Sequence, residues 1–112
     1  MRYLMTTKES VGAAAPDEKL MAEMAAFVEE LTSAGVLLAT GGLMPGGPRV
    51  ASRGDDITVT DGPFTEAKEA VVGFALVECR SKEEAIEVAR RFRRIAGDGE
   101  SLIQEVFDGC GG

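Results

Sequence analysis

The stretch Asp61-Gly62-Pro63-Phe64-Thr65-Glu66-Ala67-Lys68-Glu69 sets a dense group of ionisable side chains on a sharp backbone break. Asp61 and Glu66 are carboxylates that could transfer a proton or hold a polar ligand, with Lys68 as counter-charge. A plainer reading competes and takes precedence: Glu66, Lys68 and Glu69 form a solvated charge run on one turn. Asp61-Gly62-Pro63 likewise has an architectural explanation. Asp accepts hydrogen bonds from backbone just ahead of it, glycine permits unusual φ, and proline fixes φ near about -65°. Phe64 reads as a plug anchoring this loop in the core ahead of a ring that stacks on a ligand.

A second group lies upstream. Gly41 to Pro48 (Gly-Gly-Leu-Met-Pro-Gly-Gly-Pro) reads as a loop forming a lip over a cleft, with Thr40 and Met44 as candidate lining residues. It is no P-loop, because no Lys-Ser or Lys-Thr pair follows the glycines and no helix offers its N-terminus. Arg49 and Arg53 are the nearest anion contacts for a carboxylate or phosphate ligand. They serve equally well as charges that keep an edge strand from pairing. Arg90, Arg91, Arg93 and Arg94 fall near the end of a helix, where cations complement its dipole.

Nucleophile and metal chemistry find little support. Cys79 sits on a strand with no histidine to activate it, so it reads as a small buried hydrophobe. Cys110 falls in a glycine-rich tail. The chain has two cysteines and no histidine, which offers no disulfide framework and no zinc spacing. No metal or cofactor is expected. The terminal Gly111-Gly112 resembles the end of ubiquitin-like carriers, but those folds open with a hairpin and this chain opens β-α-β.

Composition bounds the partners. The chain has 112 residues, 45% hydrophobic and 28% charged, with 19 acidic against 12 basic side chains and a net charge of -7. One domain over 1–112, with 109–112 as a tail, can bury a core without staples. The negative balance disfavours phosphate backbones and anionic membranes, so neither nucleic acid nor membrane is expected as a partner. No apolar run reaches the roughly 18 residues of a spanning helix, and no signal peptide is visible, which makes the cytoplasm the expected location.

The elements that must position these residues follow from periodicity. Arg2 to Thr7 reads as a strand and Lys8 to Ala15 as a loop. Pro16-Asp17-Glu18 opens a helix whose stripe is Leu20, Met24, Phe27, Val28 and Leu31, closed by Gly35. Val36 to Thr40 is a strand stopped by Gly41-Gly42. Arg49 to Ser52 and Ile57 to Thr60 form a hairpin around Gly54-Asp55-Asp56. Val71 to Arg80 is the longest strand, apolar on both faces. Ser81-Lys82-Glu83-Glu84 is a capping box. It opens a helix with Ala85, Ile86, Ala89, Phe92 and Ile95 inward and Glu87 and Arg91 paired outside. Gly97-Asp98-Gly99 ends it, and Ser101 to Phe107 is the last strand.

Two right-handed βαβ crossovers place both helices on one face of one sheet. The expected class is α+β, a ferredoxin-like split-βαβ sandwich with an inserted hairpin. Its other sheet face would be apolar and bare, which predicts a homodimer packed through that open face.

The nine residues from Asp61 closely resemble the DGPF (DGPFAETKE) signature within the YCII-related superfamily, departing only at Thr65 and Ala67. Arg2-Tyr3-Leu4-Met5, Ala34-Gly35-Val36-Leu37, Gly42-Leu43 and Val72-Gly73-Phe74 fit the same resemblance, which spans nearly the whole chain. It implies a ferredoxin-like fold assembled as a dimeric α/β barrel, and genes often near extracytoplasmic-function sigma factors. The His–Asp pair suggested as an acid–base site in that superfamily has no counterpart here. Three functions fit: a dimer that binds or senses a small molecule, a metal-independent enzyme using Asp61 or Glu66, or a protein-interaction module.

Overall fold

The computed structural model describes residues 1–10, 17–44, 46–61 and 69–107. Eight elements follow one another: β1 (Arg2–Ser10), α1 (Glu18–Ser33), β2 (Leu37–Gly42), β3 (Arg49–Arg53), β4 (Asp56–Thr60), β5 (Glu69–Glu78), α2 (Lys82–Ala96) and β6 (Glu100–Val106). The protein is mixed α+β. Four strands form an antiparallel sheet in the order β2-β5-β1-β6, and β3-β4 form a separate two-stranded hairpin. Each β-α-β unit straddles one strand of the other, which is the split arrangement.

Both helices are capped as their sequences dictate. The Asp17 side chain accepts a hydrogen bond from the Leu20 N–H at 2.8 Å, and the Ser81 hydroxyl accepts one from the Glu84 N–H at 3.1 Å. Asp17 is thus the N-cap of α1. Gly35, at φ 76°, turns the chain out of that helix where a side chain would be strained. Gly54 takes φ 60° at the first central position of the β3–β4 turn, the place two-residue hairpins reserve for glycine.

Cross-strand register sorts the sheet into rows that share a face. In the order β2-β5-β1-β6, one face carries Leu37–Val77–Tyr3–Glu105, then Thr40–Ala75–Met5–Ile103, then Gly42–Gly73–Thr7–Ser101. The two helices cover this face. Tyr3, Met5, Val77 and Cys79 are buried with Phe27 and Leu31 of α1 and with Ala85, Val88 and Ala89 of α2. The opposite face carries Ala39–Leu76–Leu4–Gln104 and Gly41–Phe74–Thr6–Leu102. Leu102 is 49% exposed there.

Several boundaries differ from expectation. β1 runs three residues beyond Thr7, carried past a register shift at Thr7/Lys8 by pairing with β5. Gly41 and Gly42 do not stop β2; they pair with Phe74 and Gly73 inside it. The reason is space: a Cβ on Gly41 would come within 3.0 Å of the Phe74 ring. β5 ends at Glu78, leaving Cys79 buried just beyond the strand. On α2, Val88 is buried where the stripe named Ile86. Arg91 does not pair with Glu87; it reaches Glu30 on α1, and Glu87 engages Arg90 and Arg94.

Candidate functional site

A row of small residues under two helices leaves a gap. Gly42, Gly73 and Ala75 contribute almost no side-chain volume to the covered face, while α1 and α2 are held off the sheet by Phe27, Leu31, Val88 and Phe92. The result is a pocket of about 560 Å³ between sheet and helices. Its described walls are apolar, with Met5 and Met24 among them, and among the described residues its polar lining is limited to the hydroxyls of Thr7, Thr40 and Ser101 and to backbone. The Thr40 hydroxyl donates to the Phe74 carbonyl at 2.8 Å, which leaves its oxygen as an acceptor. Thr7 is 8% exposed, and the Ser101 oxygen is shielded from solvent without a hydrogen-bond partner. A ligand here meets a hydrophobic slot with a few hydroxyls, the usual design of a small-molecule site.

Among the described residues, no ionisable side chain lines the pocket. Among the described residues no three His, Cys, Asp or Glu side chains converge as a metal site. The Cys79 thiol is pushed above its ordinary range by burial first and by the Glu84 carboxylate next, so it stays protonated at neutral pH. The Tyr3 phenol is raised in the same way by desolvation and by Glu105.

Comparison with known proteins fits this architecture. The profile of the YCII-related domain matches residues 1–108. The chain belongs to the YCII-related domain family. Over 76 residues it is 36% identical to an uncharacterized protein of Rhizobium meliloti (strain 1021), a match covering 66% of this chain and 61% of that protein's length. Among solved structures it resembles 5-chloro-2-hydroxyhydroquinone dehydrochlorinase from Burkholderia phenoliruptrix, determined in complex with 2,5-dihydroxybenzoquinone. The TM-score is 0.54 at 15% identity, covering 97% of this chain and 96% of that one. That likeness is one of fold.

In this YCII-related chain the residues singled out from sequence scatter. Thr40 lines the pocket. Met44 is 87% exposed and outside it, and Arg49 and Arg53 lie on the exposed hairpin. Asp61 is exposed at the end of β4 and is not part of the lining. Phe64, Glu66 and Lys68 lie outside the described residues, as do Gly62, Pro63, Cys110 and the terminal diglycine. Gly41 and Gly42, expected in a lip over the cleft, line it as well, whereas the remaining lining residues carry only the pattern of core or strand in the sequence. One carries a signal: Gly73 inside an apolar strand marks a close backbone approach.

The arginine cluster also divides. Arg90 and Arg94 meet Glu87, Arg91 meets Glu30, and Arg93 turns inward with its guanidinium carbon 4.9 Å from the Phe92 ring centroid. No helix among the described residues is long and apolar enough to cross a membrane.

Proposed function

We propose that this YCII-related protein binds a small, ring-sized, mostly apolar organic molecule in the pocket between sheet and helices, as a binding or sensing protein. The observation that carries the reading is the pocket itself. Its volume of about 560 Å³ falls within the roughly 300–1,000 Å³ of small-molecule sites. Its few hydroxyls suit a ligand with one or two polar substituents. A fold relative solved with 2,5-dihydroxybenzoquinone supports that ligand size. The resemblance of Asp61 to Glu69 to the DGPF signature supports a place in that subgroup, and its association with extracytoplasmic-function sigma factors suits a sensing role in the cytoplasm.

The working unit in this reading is a homodimer joined through the open sheet face. Leu4, Phe74, Leu76, Leu102 and Val106 give that face its apolar character. The hairpin adds a second apolar surface, because Val50, Ile57 and Val59 share one of its faces and are 66%, 70% and 66% exposed. An isolated two-stranded hairpin is marginally stable in water, so this arm calls for a covering surface. A second copy of the same chain supplies one.

An enzymatic reading is favoured by one observation: the fold relative is a dehydrochlorinase. With no histidine in the chain, that reading rests on Asp61 or Glu66 as the acid–base group.

Methionine methyl NMR tests the binding reading. Met5 and Met24 line the pocket, whereas Met21 and Met44 are 60% and 87% exposed and serve as references. Titration with 2,5-dihydroxybenzoquinone and with neutral substituted benzenes is expected to shift Met5 and Met24 alone. Unmoved Met5 and Met24 signals across that series would sink the reading.

A further inference from the structure

Two glycines of the pocket floor are not explained by the fold. Among the described residues six glycines hold positive φ, and Gly41 leaves room for the Phe74 ring. Gly42 and Gly73 have neither reason. Neither takes positive φ, and both lie in strands, where glycine weakens a sheet relative to alanine. The register shift at Thr7/Lys8 lies beside Gly73, but a bulge requires glycine only at positive φ.

Space points the same way. Among the described residues, a Cβ on Gly42 would meet within 4 Å only the Val72 carbonyl oxygen, at 3.8 Å, and one on Gly73 only the Gly41 carbonyl oxygen, at 3.4 Å. These are ordinary van der Waals contacts, so the protein itself would accept a methyl group at either position. Both residues line the pocket, and they lie directly opposite each other on β2 and β5. The Leu43 N–H donates to the Val72 carbonyl at 2.9 Å, which makes the adjoining Gly42–Gly73 a non-hydrogen-bonded pair. The Cα atoms of such a pair are only about 4.5 Å apart, so the two form one patch of bare backbone in the floor. Thr7 pairs with Gly73 on its other side, is 8% exposed, and lines the pocket too. Among the described residues its hydroxyl meets no hydrogen-bond partner, which is rare for a buried hydroxyl.

We propose that the Gly42–Gly73 pair is a seat for a planar ring, and that the ligand of the pocket is an uncharged aromatic compound with one polar substituent that reaches Thr7. The ring lies flat on the bare backbone, under a roof to which α1 contributes Phe27 and α2 contributes Phe92. A flat ring approaches the peptide planes over its whole face, which a puckered ring cannot do, and it makes favourable offset or edgewise contacts with phenylalanine. An ionised ligand would lose its hydration and find no counter-charge among the described lining residues. The Thr7 hydroxyl can donate or accept, so a phenol or a carbonyl substituent suits it equally. This inference rests on the pocket reading above and narrows it to one ligand shape and charge.

The test uses the full chain with phenol, toluene and cyclohexanol. It reads the Met5 and Met24 methyl shifts together with thermal unfolding. Phenol is expected to bind at least about tenfold more tightly than cyclohexanol, its puckered counterpart. Gly42→Ala and Gly73→Ala should each melt no lower than the unliganded wild type, because the fold has room for the methyl group. Each should weaken phenol at least about tenfold, the lower end of what an extra methyl group costs in an occupied space. Thr7→Val, which removes the hydroxyl and keeps the shape, should weaken phenol about fivefold and toluene not at all, the margin of one hydrogen bond. Equal binding of phenol and cyclohexanol, or wild-type phenol affinity in both alanine variants, overturns the seat and leaves the pocket reading standing. Undiminished phenol binding in Thr7→Val overturns the proposal as well. A marked loss of stability in the unliganded alanine variants would show that the fold itself requires these glycines, and would also overturn it. Met5 and Met24 signals unmoved by all three compounds would take the pocket reading down with it.

Discussion

Arg91 on α2 places its Nη2 2.7 Å from the Glu30 carboxylate on α1 and its guanidinium carbon 4.9 Å from the Phe27 ring centroid. One side chain therefore ties the two helices by charge and by ring contact, across the roof of the pocket.

Because the side chains of this pair are 38% and 57% exposed, solvent screens much of the attraction. Arg91→Ala is expected to lower stability by about 0.2–1 kcal/mol, the range for exposed pairs. A urea double-mutant cycle with Glu30→Ala measures it. A coupling energy indistinguishable from zero would mean the contact only accompanies helix packing.

The register that makes β2 continuous through its glycines rests on Gly41 beneath the Phe74 ring. Gly41→Ala should destabilise by about 1 kcal/mol, overpacking being partly offset by the lower entropy of the unfolded chain. Combining it with Phe74→Leu should return part of that loss. Strict additivity in denaturant melts would refute the steric account.

Filling the pocket from its floor separates binding from folding. Ala75→Leu places extra methyl groups in existing space, so stability should change by less than about 1.5 kcal/mol. Binding of the neutral benzenes should be lost. Retained Met24 shifts in this variant would place the ligand elsewhere.

The raised thiol pKa of Cys79 carries a pH signature. In the folded state the thiol holds its proton above its ordinary value of 9.0, so over that window the unfolded chain binds fewer protons than the native one. Stability from this group is complete below pH 9.0 and falls as pH rises from there through the native value. Tyr3 adds a loss of the same sign above its ordinary 10.0. Cys79→Ala should flatten the first part of the alkaline decline. An unchanged slope would remove Cys79 as its source.

Assembly is tested at the arm. Sedimentation should show a dimer in the wild type and a monomer in Ile57→Asp, because the substitution puts a charge into the hairpin's apolar face. A wild type that stays at 11.8 kDa over micromolar concentrations would end the dimer proposal.

What could be read from the chain divides along a physical line. The helix start around Pro16-Asp17-Glu18, the capping Ser81, the stop at Gly35 and the hairpin at Gly54 are local signals; the structure has the last three in place and makes Asp17 the cap of α1 where a first-turn residue was expected. The pocket is different. Gly42, Gly73, Thr7 and Ser101 are spread over four strands, and only the register between those strands brings them into one row. Nothing local to any of the four encodes that alignment. Charge also drew attention toward Asp61 and away from uncharged Gly42 and Gly73. β1 outran its expected end for the same non-local reason: its last residues are strand because β5 pairs with them.

The separate hairpin has a consequence for how this molecule comes apart. No strand of the four-stranded sheet shares a ladder with β3 or β4. Their cross-strand hydrogen bonds can open and close while β1, flanked by β5 and β6, keeps every one of its own. Amide hydrogen exchange should therefore report two free energies in one small domain. The slow one belongs to the sheet. The fast one belongs to the arm, and slows only when something lies against it.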